Sequence, residues 1–148
     1  MKVYLGADHG GYELKNQLAE HLRHAGHEVV DIGAMTLDED DDYPKYAYGV
    51  AVKVLGEEAD GRGVLLCRSG QGMTIAANRV RGIRAALAWN VETAVHGRRD
   101  DNANVLVLPS DYMDFQLAAD AVDAWLATEF KNDPKYARRL DELEELYG

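Results

Sequence analysis

The sequence contains five short apolar runs, and a segment of helical periodicity follows each of them. This pattern restricts the possible folds more than any other feature of the chain. The predicted strands cover residues 2–6, 27–32, 64–67, 83–88 and 105–108. The predicted helices cover residues 12–25, 43 to about Glu58, 72–78, 91–98, 115–127 and 133–147. Strands that alternate with helices predict a parallel sheet, because each helix returns the chain to the same sheet edge. We therefore predict an α/β fold: a three-layer, doubly wound (Rossmann-like), five-stranded parallel sheet with an appended C-terminal helix.

Length and charge limit what this chain can be. At 148 residues it is predicted to form a single domain, 1–148, which buries roughly two-thirds of its unfolded surface. No apolar stretch is long enough to span a bilayer and no signal peptide opens the sequence, so a cytoplasmic location is expected. The net charge of −10 argues against binding to nucleic acids or anionic membranes. One cysteine and no zinc-ligand spacing predict neither an intrachain disulfide nor a zinc site.

Residues 63–84, GVLLCRSGQGMTIAANRVRGIR, carry the strongest chemical signal. A strand ends in Cys67, a glycine-rich turn follows, and a helix then begins. This order predicts that helix-terminal N–H groups lower the thiol pKa and hold an oxyanion, which suits proton abstraction beside a carbonyl. The alternative is a buried, inert cysteine, the commoner case for an isolated thiol. The adjoining glycines favour function, because they let the backbone approach a ligand closely.

Two familiar motifs do not fit this segment. A cysteine-phosphatase loop needs an arginine six positions after the cysteine, where Met73 stands. The dinucleotide fingerprint needs a glycine or alanine where Ile75 stands.

Asp8 and His9 follow the first predicted strand and lie at the same sheet edge as Cys67. Ligands of doubly wound folds bind at that edge, so the pair is predicted to hold sugar hydroxyls and move protons. The alternative is a turn in which Asp8 caps the next helix. His96 is a further candidate near the site.

The chain resembles the ribose-5-phosphate isomerase B / galactose-6-phosphate isomerase family over essentially its whole length. The resemblance rests on GADHGGYELK, DYPKYA, GVLLCRSGQGMTIAANRVRGIRAALAW, DDNANVLVL and YARRLDELEE. It implies a metal- and cofactor-free aldose–ketose isomerase that works through a cis-enediolate. It also implies a homodimer or a dimer of dimers whose pockets are each completed by the neighbouring subunit.

The resemblance also implies roles for individual residues. Cys67 matches the base that moves a proton between C1 and C2, and Ser69 matches the residue that assists ring opening. Asp8 and His9 match residues that contact the sugar and its phosphate end. Some relatives carry a glutamate base where Met73 stands, an option absent here. The loop expected to hold the enediolate consists of Gly70, Gln71, Gly72, Met73 and Thr74.

Several positions depart from the family pattern. Asp100 replaces the ring-opening histidine, and Asp101 replaces the asparagine after it. Asp111 stands in place of a phosphate-binding arginine, and Arg68 replaces a glycine. The C-terminal pair of arginines becomes Lys135 and Arg139.

These departures affect the expected chemistry. Asp100 can act as the ring-opening acid if burial raises its pKa, or His96 can take that role. The added negative charges weaken phosphate binding unless Arg68, Arg98 or Arg99 compensates.

The predicted activity is the isomerisation of a small sugar phosphate of the ribose 5-phosphate type, with Cys67 as base. One alternative is an isomerase of a tetrose 4-phosphate, a hexose 6-phosphate or an unphosphorylated sugar. Another is a non-catalytic subunit of a hetero-oligomeric isomerase. The expected partners are the sugar phosphate and further copies of the chain.

Overall fold

The computed structural model describes residues 1–57 and 61–148. Its strands are β1 (Lys2–Ala7), β2 (Glu28–Gly33), β3 (Arg62–Cys67), β4 (Ala85–Leu87) and β5 (Val105–Pro109). Its helices are α1 (Tyr12–His24), α2 (Tyr43–Gly56), α3 (Gln71–Asn78), α4 (Val91–Asp101), α5 (Phe115–Ala127) and α6 (Pro134–Tyr147). The strands form one sheet in the order β2-β1-β3-β5-β4, and every pairing is parallel. The predicted fold class is therefore confirmed.

The sheet separates two apolar layers, because successive side chains of a strand point to opposite faces. On β3, Val64 and Leu66 pack with α1, α4 and α5, around the fully buried Trp125 of α5. Leu65 and Cys67 pack on the other face with α2 and α3. The period of two in the strands and the amphipathic helices therefore suffice to build the three layers.

Some predicted boundaries are wrong by a few residues. β4 covers only Ala85–Leu87 rather than 83–88, because Ile83 belongs to the turn that follows α3, where its N–H donates to the carbonyl of Val80. α4 continues past Arg98 to Asp101 and ends at Asn102, which has a positive φ of 50°. The predicted end of α2 at Glu58 lies outside the described residues.

α6 is the appended helix, and none of its residues is buried. It lies beside α4, and its last turns expose Leu143, Leu146 and Tyr147. In the described part of the chain, no helix has the length and apolar character needed to cross a membrane.

Candidate active site

Three loops meet at the carboxyl edge of the sheet, because β1, β3 and β5 are neighbouring strands. The hydroxyl of Ser110, after β5, lies 2.6 Å from the carbonyl oxygen of Gly10 and 3.0 Å from that of Cys67. The N–H of Asp111 donates to the carbonyl of Arg68 at 3.0 Å. These bonds join the loops after β1, β3 and β5 into one surface that surrounds Cys67.

Cys67 is the last residue of β3 and is 6 % exposed. Burial raises the pKa of its thiol, and hydrogen bonds from the amides of Met73, Gly70 and Gly72 offset that effect only in part. The negative charge of Asp8 acts in the same direction as burial. The prediction of a lowered thiol pKa is therefore wrong, because desolvation outweighs the helix N-terminus.

The loop after Cys67 depends on two glycines. Gly70 has a φ of +77°, and a Cβ there would lie 2.5 Å from a methyl carbon of Leu87. A Cβ on Gly72 would lie 2.7 Å from the ring of Tyr43. The sequence Ser-Gly-Gln-Gly thus brings backbone N–H groups to the thiol, an arrangement that can stabilise an oxyanion.

The other members of this loop play different parts. The Ser69 hydroxyl accepts a hydrogen bond from the N–H of Gln71 at 3.3 Å. The Thr74 hydroxyl donates to the carbonyl of Gly70 at 2.7 Å. The Met73 side chain is fully buried in the core, so this residue can meet a ligand only through its backbone.

Asp8 and His9 extend the site along the end of β1. The Asp8 carboxylate accepts the N–H of Gly10 at 3.0 Å, and burial raises its pKa. His9 Nδ1 lies 2.8 Å from Asp41 Oδ1, and this hydrogen bond raises the histidine pKa. Because Nδ1 is occupied, Nε2 is the nitrogen left for a ligand.

Asp41 is a residue of the candidate site that the sequence analysis did not predict. Burial acts to raise its pKa, but hydrogen bonds from the side chain and N–H of His9 and from the Tyr46 hydroxyl outweigh burial and lower it. It is the one buried residue of the acidic run 38–42, and nothing in that run distinguishes it. Ligand atoms of Asp8, His9 and Asp41 lie within 4.8 Å of one another, but the His9 and Asp41 atoms already bond to each other, an arrangement typical of an oriented imidazole.

Arg68 and Asp111 face each other across the loops after β3 and β5. Arg68 Nε donates to Asp111 Oδ2 at 3.1 Å. Both residues line a cavity of about 510 Å³ together with His9, Glu13 and Glu39. The negative charge expected from Asp111 is therefore balanced by the arginine that sequence analysis singled out.

The remaining predicted site residues lie at the opposite edge of the sheet. α4 starts after the carboxyl end of β4 and ends before the amino end of β5, where the N–H of Asn104 bonds to the carbonyl of Arg84. Asp100 and Asp101 are therefore remote from Cys67 within one chain. Lys135 and Arg139, on the first turns of α6, share this edge, since the N–H of Lys131 just before α6 donates to the Arg99 carbonyl and the charge of Arg139 acts on Asp101.

At this edge Asp100 is paired with its neighbour. Arg99 Nε donates to Asp100 Oδ1 at 2.8 Å, and this hydrogen bond lowers the pKa of Asp100. The expectation that burial raises this pKa is wrong, because the ion pair dominates. Asp101 is exposed, and Lys135 and Arg139 lie over the Tyr136 ring at 5.1 and 5.7 Å. His96 is exposed on α4.

The three arginines expected to offset the added negative charges, Arg68, Arg98 and Arg99, lie at different edges of the sheet. Arg98 is buried and donates to the carbonyl of Ala103 at 2.7 Å. Burial and the nearby charges of Arg62 and Arg84 lower its pKa to about 10. Arg98 and Arg99 therefore lie at the amino edge of the sheet. Of the three arginines, Arg68 is the one that lies beside His9.

A larger cavity of about 620 Å³ lies beside the edge strand β4, and Cys67 does not line it. Its walls come from α3, β4, α4 and α6 and include Leu87, Asp101, Leu143 and Tyr147. Since its lining includes none of Asp8, His9 and residues 67–74, we assign the candidate active site to the carboxyl edge.

Comparison with known proteins identifies the family of this chain. The family model described as Ribose/Galactose Isomerase matches residues 3–143. The ribose-5-phosphate isomerase B of Mycolicibacterium paratuberculosis is 42% identical over 145 residues, which cover 98% of this chain and 91% of that protein. The solved structure of a ribose 5-phosphate isomerase from Thermotoga maritima has a TM-score of 0.92 and 42% identity, covering 97% of both chains.

A ribose-5-phosphate isomerase B from Mycoplasma genitalium, solved with bound ribulose-5-phosphate, has a TM-score of 0.94 and 36% identity. The match covers 98% of this chain and 95% of that one. The chain therefore belongs to the ribose/galactose isomerase family.

Proposed function

We propose that this chain interconverts ribose 5-phosphate and ribulose 5-phosphate, or a closely similar pair of sugar phosphates, with Cys67 as the base. The observation that carries the proposal is the thiol at the end of β3 within reach of the amides of Gly70, Gly72 and Met73. A base beside a preformed oxyanion site is what enolisation requires. Membership of the family and the ribulose-5-phosphate bound by the Mycoplasma genitalium relative support the substrate class.

The proposed reaction moves one proton between two carbons. The Cys67 thiolate takes the proton from C2 of the open-chain aldose. The C–H electron pair forms the C1=C2 double bond, and the carbonyl π pair moves to O1. The loop amides stabilise the resulting enediolate oxyanion. The O2 proton then passes to O1, a carbonyl forms at C2, and the thiol returns its proton to C1.

We further propose that the active unit contains at least two copies of the chain. Asp100, Asp101, Lys135 and Arg139 lie at the amino edge, so they can reach a Cys67 pocket only from another copy. The exposed apolar end of α6 supports such an association, since Leu146 and Tyr147 are 66% and 78% exposed. A sugar-phosphate substrate and a thiol base fit the reducing cytoplasm.

Mixing two inactive variants tests the shared pocket. Cys67→Ala removes the base, and Arg139→Ala removes a cation supplied by the neighbour. A mixed dimer keeps one pocket that has both groups, so re-assembly of equal amounts should restore about a quarter of the wild-type activity. No recovery in mixtures that chromatography shows to be re-assembled would contradict the shared site.

A second candidate substrate is an aldose that does not form a furanose ring, such as a tetrose 4-phosphate. The observation that favours it is the Arg99–Asp100 pair, because a carboxylate with a lowered pKa stays ionised and cannot donate the proton that ring opening needs. A sugar that is always open-chain needs no such acid.

Deuterium exchange distinguishes these possibilities. The protein is incubated in D2O with ribose 5-phosphate, erythrose 4-phosphate, allose 6-phosphate or free ribose, and exchange at C2 is followed by NMR. We expect exchange and ketose formation that Cys67→Ala abolishes and Cys67→Ser strongly reduces. Binding of a sugar phosphate without exchange would instead indicate a non-catalytic subunit. Exchange unaffected by Cys67→Ala would refute the assignment of the base.

A further inference from the structure

The cavity beside His9 is lined by more acidic than basic side chains. Its lining includes the carboxylates of Glu13, Glu39 and Asp111. Among the described residues that line it, Arg68 is the only one that is always a cation. Within one copy of the chain, a phosphate dianion that enters this cavity therefore depends on Arg68 for a permanent positive charge, since the whole chain carries a net charge of −10.

Arg68 is held where it can meet a ligand. Its aliphatic stem crosses Gly10 so closely that a Cβ on that glycine would lie 2.2 Å from Arg68 Cγ. Its Nε donates to Asp111 at 3.1 Å, while the N–H of Asp111 bonds back to the Arg68 carbonyl at 3.0 Å. Within residues 1–57 and 61–148, its two terminal nitrogens have no hydrogen-bond partner.

This arrangement leaves a pair of donors for an oxyanion. A guanidinium binds two phosphate oxygens at once when its terminal nitrogens are available. Arg68 and His9 line the same cavity, and the positive charge of Arg68 acts to lower the pKa of His9, against the larger effect of the Asp41 hydrogen bond. In the imidazolium form, which the hydrogen bond from Nδ1 to Asp41 favours, His9 Nε2 adds a further donor on the same cavity.

We propose that Arg68, held by Asp111, binds the phosphate monoester at the far end of the substrate and sets the preference for phosphorylated sugars. Arg68 is the binding residue, and Asp111 is a positioning residue that fixes the Nε and leaves the terminal nitrogens for the ligand. This inference rests on the proposed function for the identity of the sugar, but the binding of phosphate can be measured without turnover.

The test compares four variants with the wild type: Arg68→Gln, Arg68→Lys, Asp111→Asn and the matched control Arg23→Gln. Arg23 is an exposed arginine in the last turn of α1, so its variant makes the same change of charge away from the cavity. Titration calorimetry with inorganic phosphate gives Kd, and initial rates give KM and kcat for ribose 5-phosphate and free ribose.

We expect Arg68→Gln to raise both the phosphate Kd and the KM for ribose 5-phosphate by about 10- to 100-fold, the effect of losing a charge-assisted, bidentate contact. kcat, and kcat/KM for free ribose, should change little. Arg68→Lys should recover part of the loss. Asp111→Asn should raise KM about two- to fivefold with kcat unchanged, because an exposed pair contributes little beyond positioning. Arg23→Gln should match the wild type.

Two results would overturn the inference: a wild-type protein that does not bind phosphate, or an Arg68→Gln variant that binds it as tightly as the wild type. If phosphate binds through Arg68 but no sugar exchanges deuterium, the anion site stands and the proposed isomerase activity fails.

Discussion

Removing Asp31 should destabilise the protein far more than removing another acidic residue from the same strand. Lys15, on α1, has no exposed side-chain area. Its Nζ donates to both carboxylate oxygens of Asp31 at 2.8 Å and to the carbonyl of Ala34 at 2.6 Å. Asp31→Ala leaves the buried ammonium with a single acceptor.

The size of the effect follows from burial. Breaking a buried ion pair by removing one partner costs about 3–5 kcal/mol, because the other charge is left without compensation. The Asp31 side chain is 21% exposed, so water can partly solvate the charge that remains. We therefore expect the free energy of unfolding to fall by about 3 kcal/mol, the lower end of this range. For a domain of this length, that loss lowers the Tm by about 6–12 °C.

Urea unfolding followed by circular dichroism measures the loss. The matched control is Glu28→Ala on the same strand, since Glu28 meets Lys2 only at 4.0 Å and is 70% exposed; its expected cost is at most about 0.5 kcal/mol. The double variant Lys15→Met/Asp31→Ala should lose less than Asp31→Ala alone, because it removes both charges. A cost below about 1 kcal/mol for Asp31→Ala would refute the reasoning.

Three further outcomes follow from the site. Because burial holds the pKa of Cys67 above its ordinary value of 9.0, kcat/KM should still rise with pH at pH 9, and a plateau near neutrality would contradict this. Gly70→Ala should cost about 1–2 kcal/mol and lower kcat, because φ is +77° and the added Cβ meets a leucine methyl; Gly56→Ala, which has open space, should be neutral. Asp41→Asn should lower the pKa of His9 in an NMR titration. Since that pKa is raised in the folded protein, the pair's stabilising effect is complete below the unfolded value of about 6.5 and disappears as pH rises through the folded value.

Much of the fold could be predicted from local patterns. Successive side chains of a strand point to opposite faces of the sheet, which places Leu65 and Leu66 on opposite faces of β3. Strands that alternate with helices lead to a parallel sheet. In such a sheet all strand ends meet at one edge, so the neighbourhood of Cys67, Asp8 and His9 follows from chain order alone. The length of β4 does not, because the turn before it depends on bonds that only the folded chain forms.

The chemistry of the site was decided by the tertiary structure. Whether a thiol or a carboxylate stays neutral depends on how much solvent its neighbours remove and which charges they bring, and these neighbours come from distant parts of the chain. Thus Cys67 has a raised pKa although a helix begins nearby, and Asp41 finds His9 across 32 residues of sequence. From the sequence alone, Asp111 is expected to weaken phosphate binding, and nothing pairs it with Arg68. The two side chains form an ion pair because β3 and β5 are adjacent strands. Sequence periodicity determined where the chain places its functional groups, and the packing of remote segments determined their charge.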